Sequence, residues 1–361
     1  MIDVDKVFEK FSRSPYARHM QGVSHAFDED NLNPYHLEGS IWNHTLMVYE
    51  KSKDDSIFLQ LATIFHDLGK TISKEKVVQD GIKHTRFIGH EGASFYIAQD
   101  AMKKMGVYDE FDDDDIQLIL SIIACHGEYR MGGNLKKFFD RFQRNELLLS
   151  FIISHMKCDF AGRFTDASLP HTDVEVLETE HRHWLRSRQM DSNELQPREY
   201  ENTITLLVGA PCSGKSYWIE RLSKRMNVNV AWDTRILSRD DLVYEMGKCE
   251  TYDECWKNVD HKKIDEVLEK RFRATVKEDK DIIVDMTNMS RKSRRRWLHG
   301  VKKSYKKKAV MFATSLDTLL DRDRARAGKT LGVRFLHPMI KKLSIPMYDE
   351  FDEIEWVIDR N

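Results

Sequence analysis

The sequence predicts a two-domain protein, a helical domain followed by an α/β domain with a parallel sheet. Its 361 residues are more than one compact core usually organises, so two domains are expected. Apolar residues recur at helical spacing over 41–68 and 116–124, and strand-like runs are scarce before residue 190. Beyond residue 203, short β-branched runs alternate with helical stretches, which is typical of βαβ units.

The runs of 203–208, near 228–232, of 282–284 and near 309–313 are the predicted strands of the second domain. Residues 189–202 are polar and lack apolar periodicity, which indicates a linker between a domain of residues 1–188 and a domain of residues 203–361. The acidic run 112–115 precedes an apolar helix, where carboxylates complement the helix dipole.

Composition excludes several classes of protein. Hydrophobic residues make up 41% of the chain and the formal net charge is −2, so a global polyanion-binding surface is not indicated. Local basic patches at 291–296 and 302–308 are either nucleic-acid contacts or solvated helix faces. The five cysteines have no zinc-finger spacing, no secretory signal is recognisable, and no apolar run approaches membrane-spanning length. We therefore expect a soluble, cytoplasmic protein without a membrane partner.

Histidine and aspartate recur through the first domain in helical contexts, at His44, His66, Asp67, His90, His126 and Asp159. Adjacent residues of a helix project in different directions, so His66 and Asp67 need a helix end to reach one ion, and Gly69 is a candidate for ending it. Imidazole and carboxylate suit transition metals, and two ions would clamp a phosphate and activate water. Taken singly, a histidine beside apolar neighbours is more often a satisfied core or surface residue than a metal ligand.

The order and context of these residues resemble the HD phosphohydrolase superfamily, especially the HD domain attached to CCA-adding tRNA nucleotidyltransferases, over residues 35–165. The matching segments read Trp-Asn-His-Thr-Leu-Met-Val, Phe-His-Asp-Leu-Gly-Lys, Phe-Ile-Gly-His-Glu, Ala-Cys-His-Gly and Lys-Cys-Asp-Phe. The resemblance implies an all-helical fold that binds one or two ions of Mn²⁺, Ni²⁺, Co²⁺ or Zn²⁺.

The same resemblance assigns roles to the residues. One ion is held by His44, His66, Asp67 and Asp159, and a second by His90 and His126, with Asp67 bridging and central to catalysis. Lys70 and Arg163 are implied phosphate contacts. His155 lies one helical turn before Asp159 and is interpreted as a partner of the ligands rather than as a ligand.

Residues 209–216, Gly-Ala-Pro-Cys-Ser-Gly-Lys-Ser, fit the phosphate-binding pattern between a strand and a helix. Its backbone N–H groups, at Gly209, Ser213 and Gly214 among others, are expected to cradle the phosphates of ATP or another NTP. Lys215 then meets the β and γ oxygens, and the Ser216 hydroxyl ligates Mg²⁺.

Further along the second domain, three polar elements are candidates for the rest of a phosphotransfer site. Asp240 follows a strand, where a carboxylate can act as general base, although Asp240 and Asp241 also fit a helix N-cap pair. Asp285 ends a strand at the crevice and either binds the metal or holds the acceptor. Arg322 and Arg326, four residues apart, either close over the γ-phosphate or form surface ion pairs.

This ensemble resembles the 5′-hydroxyl polynucleotide kinases of bacteriophage and bacterial RNA repair, over about 203–360. The resemblance makes Asp240 the general base, places the donor on Lys215 and Ser216, and makes a lid of Arg322 and Arg326. Val243 departs from it, since the phage enzyme has an acceptor-binding arginine at that position. Either another arginine grips the acceptor (Arg239, Arg273 or one of 291–296), or the acceptor differs.

The order of the two domains resembles bacterial HD-Pnk enzymes of RNA end repair. That resemblance implies transfer of an NTP γ-phosphate to a 5′-OH end of RNA or DNA, and hydrolysis of 2′,3′-cyclic or terminal 2′- or 3′-phosphate ends. A polynucleotide ligase would use the products. The alternative, which Val243 favours, is an HD nucleotide phosphohydrolase whose P-loop domain is regulatory or an ATPase.

Overall fold

The computed structural model describes residues 2–129, 134–169, 174–190, 199–225, 234–326 and 328–361. The chain divides into two compact units. The first contains Met1–Leu195, Ile340–Ser344 and Arg360–Asn361, and the second contains Gln196–Met339 and Ile345–Asp359.

The first unit is helical, as predicted. Its helices are α1 (Val4–Ser12), α2 (Pro15–Gln21), α3 (Ile41–Lys51), α4 (Ile57–Phe65), α5 (Lys70–Ser73), α6 (His90–Met105), α7 (Val107–Glu110), α8 (Asp113–Cys125), α9 (Leu135–Arg141), α10 (Glu146–Ala161) and α11 (Val174–Met190). Helix α4 lies at the centre because it is apolar on nearly every side and packs against α3, α8 and α10. Asp112 caps α8 by accepting from the Asp115 amide, and the acidic first turn follows it.

A small antiparallel hairpin interrupts the helices and was not predicted from the sequence. Its strands are β1 (Glu75–Gln79) and β2 (Ile82–Arg86), with Val77 opposite His84. The turn is Asp80–Gly81, both at positive φ, a conformation that favours these two residue types. Because most of the hairpin side chains are exposed, the strands carry little apolar alternation for a sequence pattern to detect.

The second unit is the predicted α/β fold. Its strands are β3 (Asn202–Val208), β4 (Thr234–Ser238), β5 (Asp281–Asp285), β6 (Tyr305–Ala313) and β7 (Glu353–Ile358). Its helices are α12 (Lys215–Arg225), α13 (Arg239–Gly247), α14 (Tyr252–Asn258), α15 (His261–Lys277), α16 (Arg291–Leu298), α17 (Leu316–Ala325) and α18 (Val333–Ile340). Among the described residues the sheet has the order β4-β5-β3-β6-β7, and every pairing is parallel.

Strand β3 lies in the middle of this sheet, and its last five residues are buried, as an apolar run covered on both faces requires. The chain continues from β3 to β4 on one side and reaches β6 on the other. Ligands of open parallel sheets bind where the order reverses in this way, beyond the carboxyl ends of the strands. Gly209, Asp240 and Asp285 belong to that edge, since they follow or end β3, β4 and β5.

Three predicted runs coincide with β3, β5 and β6, whereas the predicted strand near 228–232 lies outside the described residues. The neighbouring described strand is β4 at Thr234–Ser238. Helix α11 continues to Met190, into the start of the predicted linker 189–202, and residues 191–198 of that linker are also outside the described part. A search of the described residues finds no helix with the length and apolar character to cross a bilayer.

Candidate active sites

The predicted metal ligands of the first unit come from five helices and lie at one place. His44 is inside α3, His66 is the C-cap of α4, His90 is the first residue of α6, His126 is the C-cap of α8, and Asp159 is near the end of α10. Asp67 directly follows the α4 cap. The helix end expected beside His66 and Asp67 is therefore present, but it comes at His66 itself.

Gly69 does not end α4 through a left-handed conformation, because its φ is −67°. What requires glycine there is the close approach of helix α6. A Cβ on Gly69 would lie 2.1 Å from the His90 carbonyl oxygen and 2.4 Å from the Ser94 nitrogen. The absence of a side chain thus lets the segment carrying His66 and Asp67 reach the segment carrying His90.

Three of the histidines share one orienting contact, in which Nδ1 donates to the backbone carbonyl three residues earlier. The pairs are His66 with Thr63 (2.8 Å), His90 with Phe87 (2.7 Å) and His126 with Ile123 (2.7 Å). Since a carbonyl can only accept, each ring carries its proton on Nδ1 and presents a bare Nε2 to the centre.

The ligand atoms form two groups of three, each with mutual distances within 4.8 Å: His44, His66 and Asp159 in one, and Asp67, His90 and His126 in the other. The two oxygens of Asp67 face different groups. Oδ2 lies 3.2 Å from His66 Nε2, and Oδ1 lies 3.5 Å from His90 Nε2 and 3.8 Å from His126 Nε2. Asp67 thus stands between the groups, as a bridging carboxylate would.

The chemistry of this donor set fits transition-metal ions. Among the described residues, His66 Nε2 and Asp67 Oδ1 are buried without a hydrogen-bond partner, an arrangement that a bound cation would satisfy. Burial lowers the pKa of His90 to about 4 and that of His126 to about 3. Both imidazoles are therefore neutral near pH 7, which is the form that binds a metal.

A cavity of about 760 Å³ opens onto these ligands and contains cationic and aromatic side chains. Lys70 Nζ lies 2.7 Å from Asp67 Oδ2, and Arg163 pairs with Asp159. Burial by itself would raise the pKa of Asp67, but His66 and Lys70 hold it well below its usual value. Both cations are therefore placed beside the ligands, where a substrate phosphate would meet them.

Sequence reasoning missed the residues that hold His44. The Nδ1 of His44 lies 3.2 Å from both Glu38 Oε1 and the Gly162 carbonyl. The same Glu38 carboxylate accepts from His36 Nδ1 at 2.7 Å. Glu38 precedes α3 in an irregular segment, so no periodicity marked it. His155 is fully buried beside the ligands, 5.0 Å from the His66 ring, with neither nitrogen hydrogen-bonded among the described residues.

In the second unit, the loop between β3 and α12 has the backbone that a phosphate cradle needs. Gly214 has φ +97°, and Cys212, a non-glycine residue, has φ +68°. A Cβ on Gly209 would lie 2.7 Å from the Ser213 hydroxyl and 3.0 Å from Phe312 Cβ, so a side chain there would force these neighbours to shift. Helix α12 begins at Lys215, so the free N–H groups of its first turn, including that of Ser216, face the loop.

Lys215 and Asp285 face each other at this edge of the sheet. Lys215 Nζ donates to the Ala210 carbonyl at 2.7 Å and to the Gly209 carbonyl at 3.0 Å. Burial lowers the pKa of Lys215 to about 8, although the negative charge of Asp285 acts in the opposite direction and raises it. Burial also raises the pKa of Asp285. Asn288, three residues after Asp285, has a structural role instead, since its amide donates to the Leu207 and Val284 carbonyls.

Two side chains hold the carboxylate of Asp240. The Tyr252 hydroxyl donates to Oδ1 at 2.6 Å, and the Lys329 ammonium pairs with Oδ2. Burial opposes ionisation of this carboxyl, yet the charge of Lys329 and the bonds from Lys329 and Tyr252 lower its pKa below the usual value. Asp240 is therefore an ionised, oriented carboxylate. The N-cap of α13 is Ser238, which accepts from the Asp241 amide, so Asp240 has no capping role.

Both predicted lid arginines contact the phosphate-binding loop. Arg322, on α17, donates to the Cys212 carbonyl at 3.4 Å and pairs with Asp359 at 2.6 Å. Arg326, the C-cap of α17, lies 3.4 Å from Cys212 Sγ. The two guanidinium groups thus both reach the loop that would hold the phosphates, while Arg322 also keeps its ion pair with Asp359.

Two different protein families match the regions that contain the two sites. The family described as HD domain matches residues 41–157, and the family described as AAA domain matches residues 204–338. The chain is an HD domain followed by a P-loop kinase-like AAA domain. No curated protein matches it. Asp159 lies just beyond the HD match, and Glu38 lies just before it.

Within the AAA domain, most candidates for the acceptor arginine are already engaged. Val243 is fully buried, so its position does not face a ligand. Arg294 is also buried and pairs with Glu350, and Arg291 pairs with Asp349. Other candidates, Arg273 and Arg296, pair with Glu269, well into α15. Arg239 is also paired, with Asp265 at 3.2 Å, but it adjoins Asp240 at the carboxyl end of β4 and so lies at the crevice.

Proposed function

We propose that the AAA domain transfers the γ-phosphate of an NTP to the 5′-OH end of a polynucleotide, RNA or DNA. The observation that carries this proposal is the Asp240 carboxylate held by Tyr252 and Lys329 in the crevice of the phosphate-binding loop. A P-loop that only binds nucleotide has no need of an oriented carboxylate beside the donor site, whereas transfer to a hydroxyl uses one to accept the proton of that hydroxyl.

The residues of this domain suit an in-line transfer. The loop 209–216 and Lys215 bind the donor phosphates, and Ser216 with Asp285 would hold the Mg²⁺, which supplies charge neutralisation. Asp240 accepts the proton of the 5′-hydroxyl as its oxygen approaches phosphorus. Arg322 and Arg326, already at Cys212, neutralise charge that develops on the transferred group.

We propose that the HD domain hydrolyses the phosphate at the other kind of end, a 2′,3′-cyclic or terminal 2′- or 3′-phosphate. When bound, one or two transition-metal ions supply Lewis-acid polarisation of the phosphate and a more acidic water. Lys70 and Arg163, at the mouth of the ligand cluster, bind the phosphate oxygens. The two reactions together would yield ends that a polynucleotide ligase joins.

The kinase proposal is tested with a 5′-OH oligonucleotide, γ-labelled ATP and Mg²⁺. We expect label on the oligonucleotide and a loss of at least about 100-fold in kcat with Asp240→Asn, the usual contribution of a general base. Asp241→Asn is the matched control, because that neighbouring carboxylate has no place in the transfer. Release of free phosphate without labelling of the oligonucleotide would instead favour the ATPase alternative.

The HD proposal is tested with an oligonucleotide ending in a 2′,3′-cyclic phosphate and with Mn²⁺, Ni²⁺ or Co²⁺ added. The wild-type chain should convert that end and Asp67→Ala should not, while Asp67→Ala keeps the kinase activity. Hydrolysis that survives in Asp67→Ala would show that the assigned cluster does not carry the reaction.

A further inference from the structure

An exposed row of aromatic rings begins at the Asp240 carboxylate. Tyr244 on α13 is 45% exposed and Trp256 on α14 is 40% exposed, and both rings contact Tyr252, so they form one exposed aromatic patch. We propose that this row is the subsite on which the first bases of the acceptor strand stack. The inference rests on the proposed kinase function and names the residues that would recognise its acceptor.

The rings form a continuous path. Tyr252, whose hydroxyl bonds Asp240, lies edge to face with Tyr244 at 5.5 Å and tilted against Trp256 at 5.8 Å. Trp256 is followed by the His261 ring at 4.2 Å. A strand whose 5′-hydroxyl meets Asp240 has these rings beside its reacting end, because they lie on the same pair of helices, α13 and α14.

Arg239 holds the Trp256 ring of this row in place. Its guanidinium lies over the Trp256 ring at 4.9 Å and is held by Asp265 at 3.2 Å. This keeps the tryptophan in place and brings a cation beside it, where a strand phosphate would pass. Since Val243, three residues after Asp240, is buried, the acceptor contacts of α13 come from its exposed side, to which Tyr244 belongs.

Stacking on such rings suits the recognition of a strand end better than base-specific hydrogen bonding does. Every base has a π face, so an aromatic row accepts any sequence, which an enzyme acting on strand ends requires. Tyr252 is nearly buried and packs under the Lys329 ammonium at 3.8 Å, whereas Trp256 and Tyr244 remain partly exposed. The row therefore has a fixed inner end at the carboxylate and an open outer end.

The experiment measures KM and kcat of the full chain for two 5′-OH acceptors, one with normal bases and one abasic at its first two nucleotides. With the normal acceptor, Trp256→Ala and Tyr244→Ala should each raise KM about tenfold, within the range of one lost base–aromatic stack. Their KM for ATP should stay within about twofold of the wild type, because the phosphate-binding loop is untouched. Trp256→Phe should restore most of the loss.

The abasic acceptor separates stacking from a structural effect. If the rings stack bases, the wild type already loses affinity for it, and Trp256→Ala costs no more than about twofold further. Equal losses with both acceptors, or no loss in either variant while the wild type labels the oligonucleotide, would overturn the subsite and leave the kinase proposal standing. No labelling by the wild type would overturn both.

Discussion

Arg294 offers the sharpest test of what holds the AAA domain together beneath its site. The side chain is fully buried and donates to both oxygens of Glu350, at 3.1 and 2.6 Å. It also donates to the carbonyls of Asn288 and Met289, at 3.2 Å each, in the segment that follows Asp285. One guanidinium thus joins the loop after β5 to the segment that precedes β7.

Arg294→Met keeps most of the volume but leaves the Glu350 carboxylate buried and unpaired. Breaking one side of a buried pair costs about 3–5 kcal/mol. For a unit of about 160 residues, each kcal/mol lowers Tm by roughly 2–4 °C, so the expected drop is about 10 °C. The double variant Arg294→Met with Glu350→Leu removes both charges and should recover most of the loss.

Calorimetry of the full chain would measure this, with limited proteolysis during heating to identify which unit unfolds first. The HD transition should be unchanged in both variants. A drop below about 2 °C in the single variant, or a double variant no more stable than the single one, would refute the claim that the buried pair is what matters.

The remaining predictions concern the two sites. Asp67→Ala should lose both ions in metal analysis of the purified chain, whereas His90→Ala should lose one, because Asp67 contacts both groups. Glu38→Gln should weaken metal binding by about 10–100-fold, measured by chelator competition, because it loosens a ligand's orientation. Lys329→Met should raise the pKa of Asp240, since the ammonium now lowers it; the base form is the carboxylate, so the acid limb of kcat/KM should move to higher pH. An acid limb that stays at the wild-type pH would show that Lys329 does not control the pKa of the catalytic base.

The candidate ligands and the phosphate-binding loop could be proposed from the sequence because each depends on local pattern. His66, Asp67 and the loop 209–216 have neighbours whose order already indicates their conformation, and the fold class follows from the change in apolar period after residue 203. The HD and AAA matches agree with that interpretation. The roles of the individual residues stay predictions that the experiments above address.

What the sequence could not supply are partners brought together by the fold. Tyr252 and Lys329 lie 12 and 89 residues from Asp240, and Glu38 reaches His44 from an irregular segment. Arg294 shows the converse, since its place in a basic run indicated a surface cation, while burial and Glu350 make it part of the core. Charge patterning in a sequence shows which residues are charged, but burial in the fold decides whether a charged side chain lies in solvent or pairs in the core.

The backbone carbonyls that orient His66, His90 and His126 limit how this centre can vary between related sequences. A carbonyl belongs to every residue, so no substitution at Thr63, Phe87 or Ile123 removes the acceptor, and these three rings keep their tautomer through sequence drift. His44 differs, because one of its two partners is a replaceable side chain. Glu91, with Oε2 3.5 Å from His90 Nδ1, is a second and more distant side-chain partner of this kind. Variation in metal preference between relatives should therefore concentrate at Glu38 and Glu91.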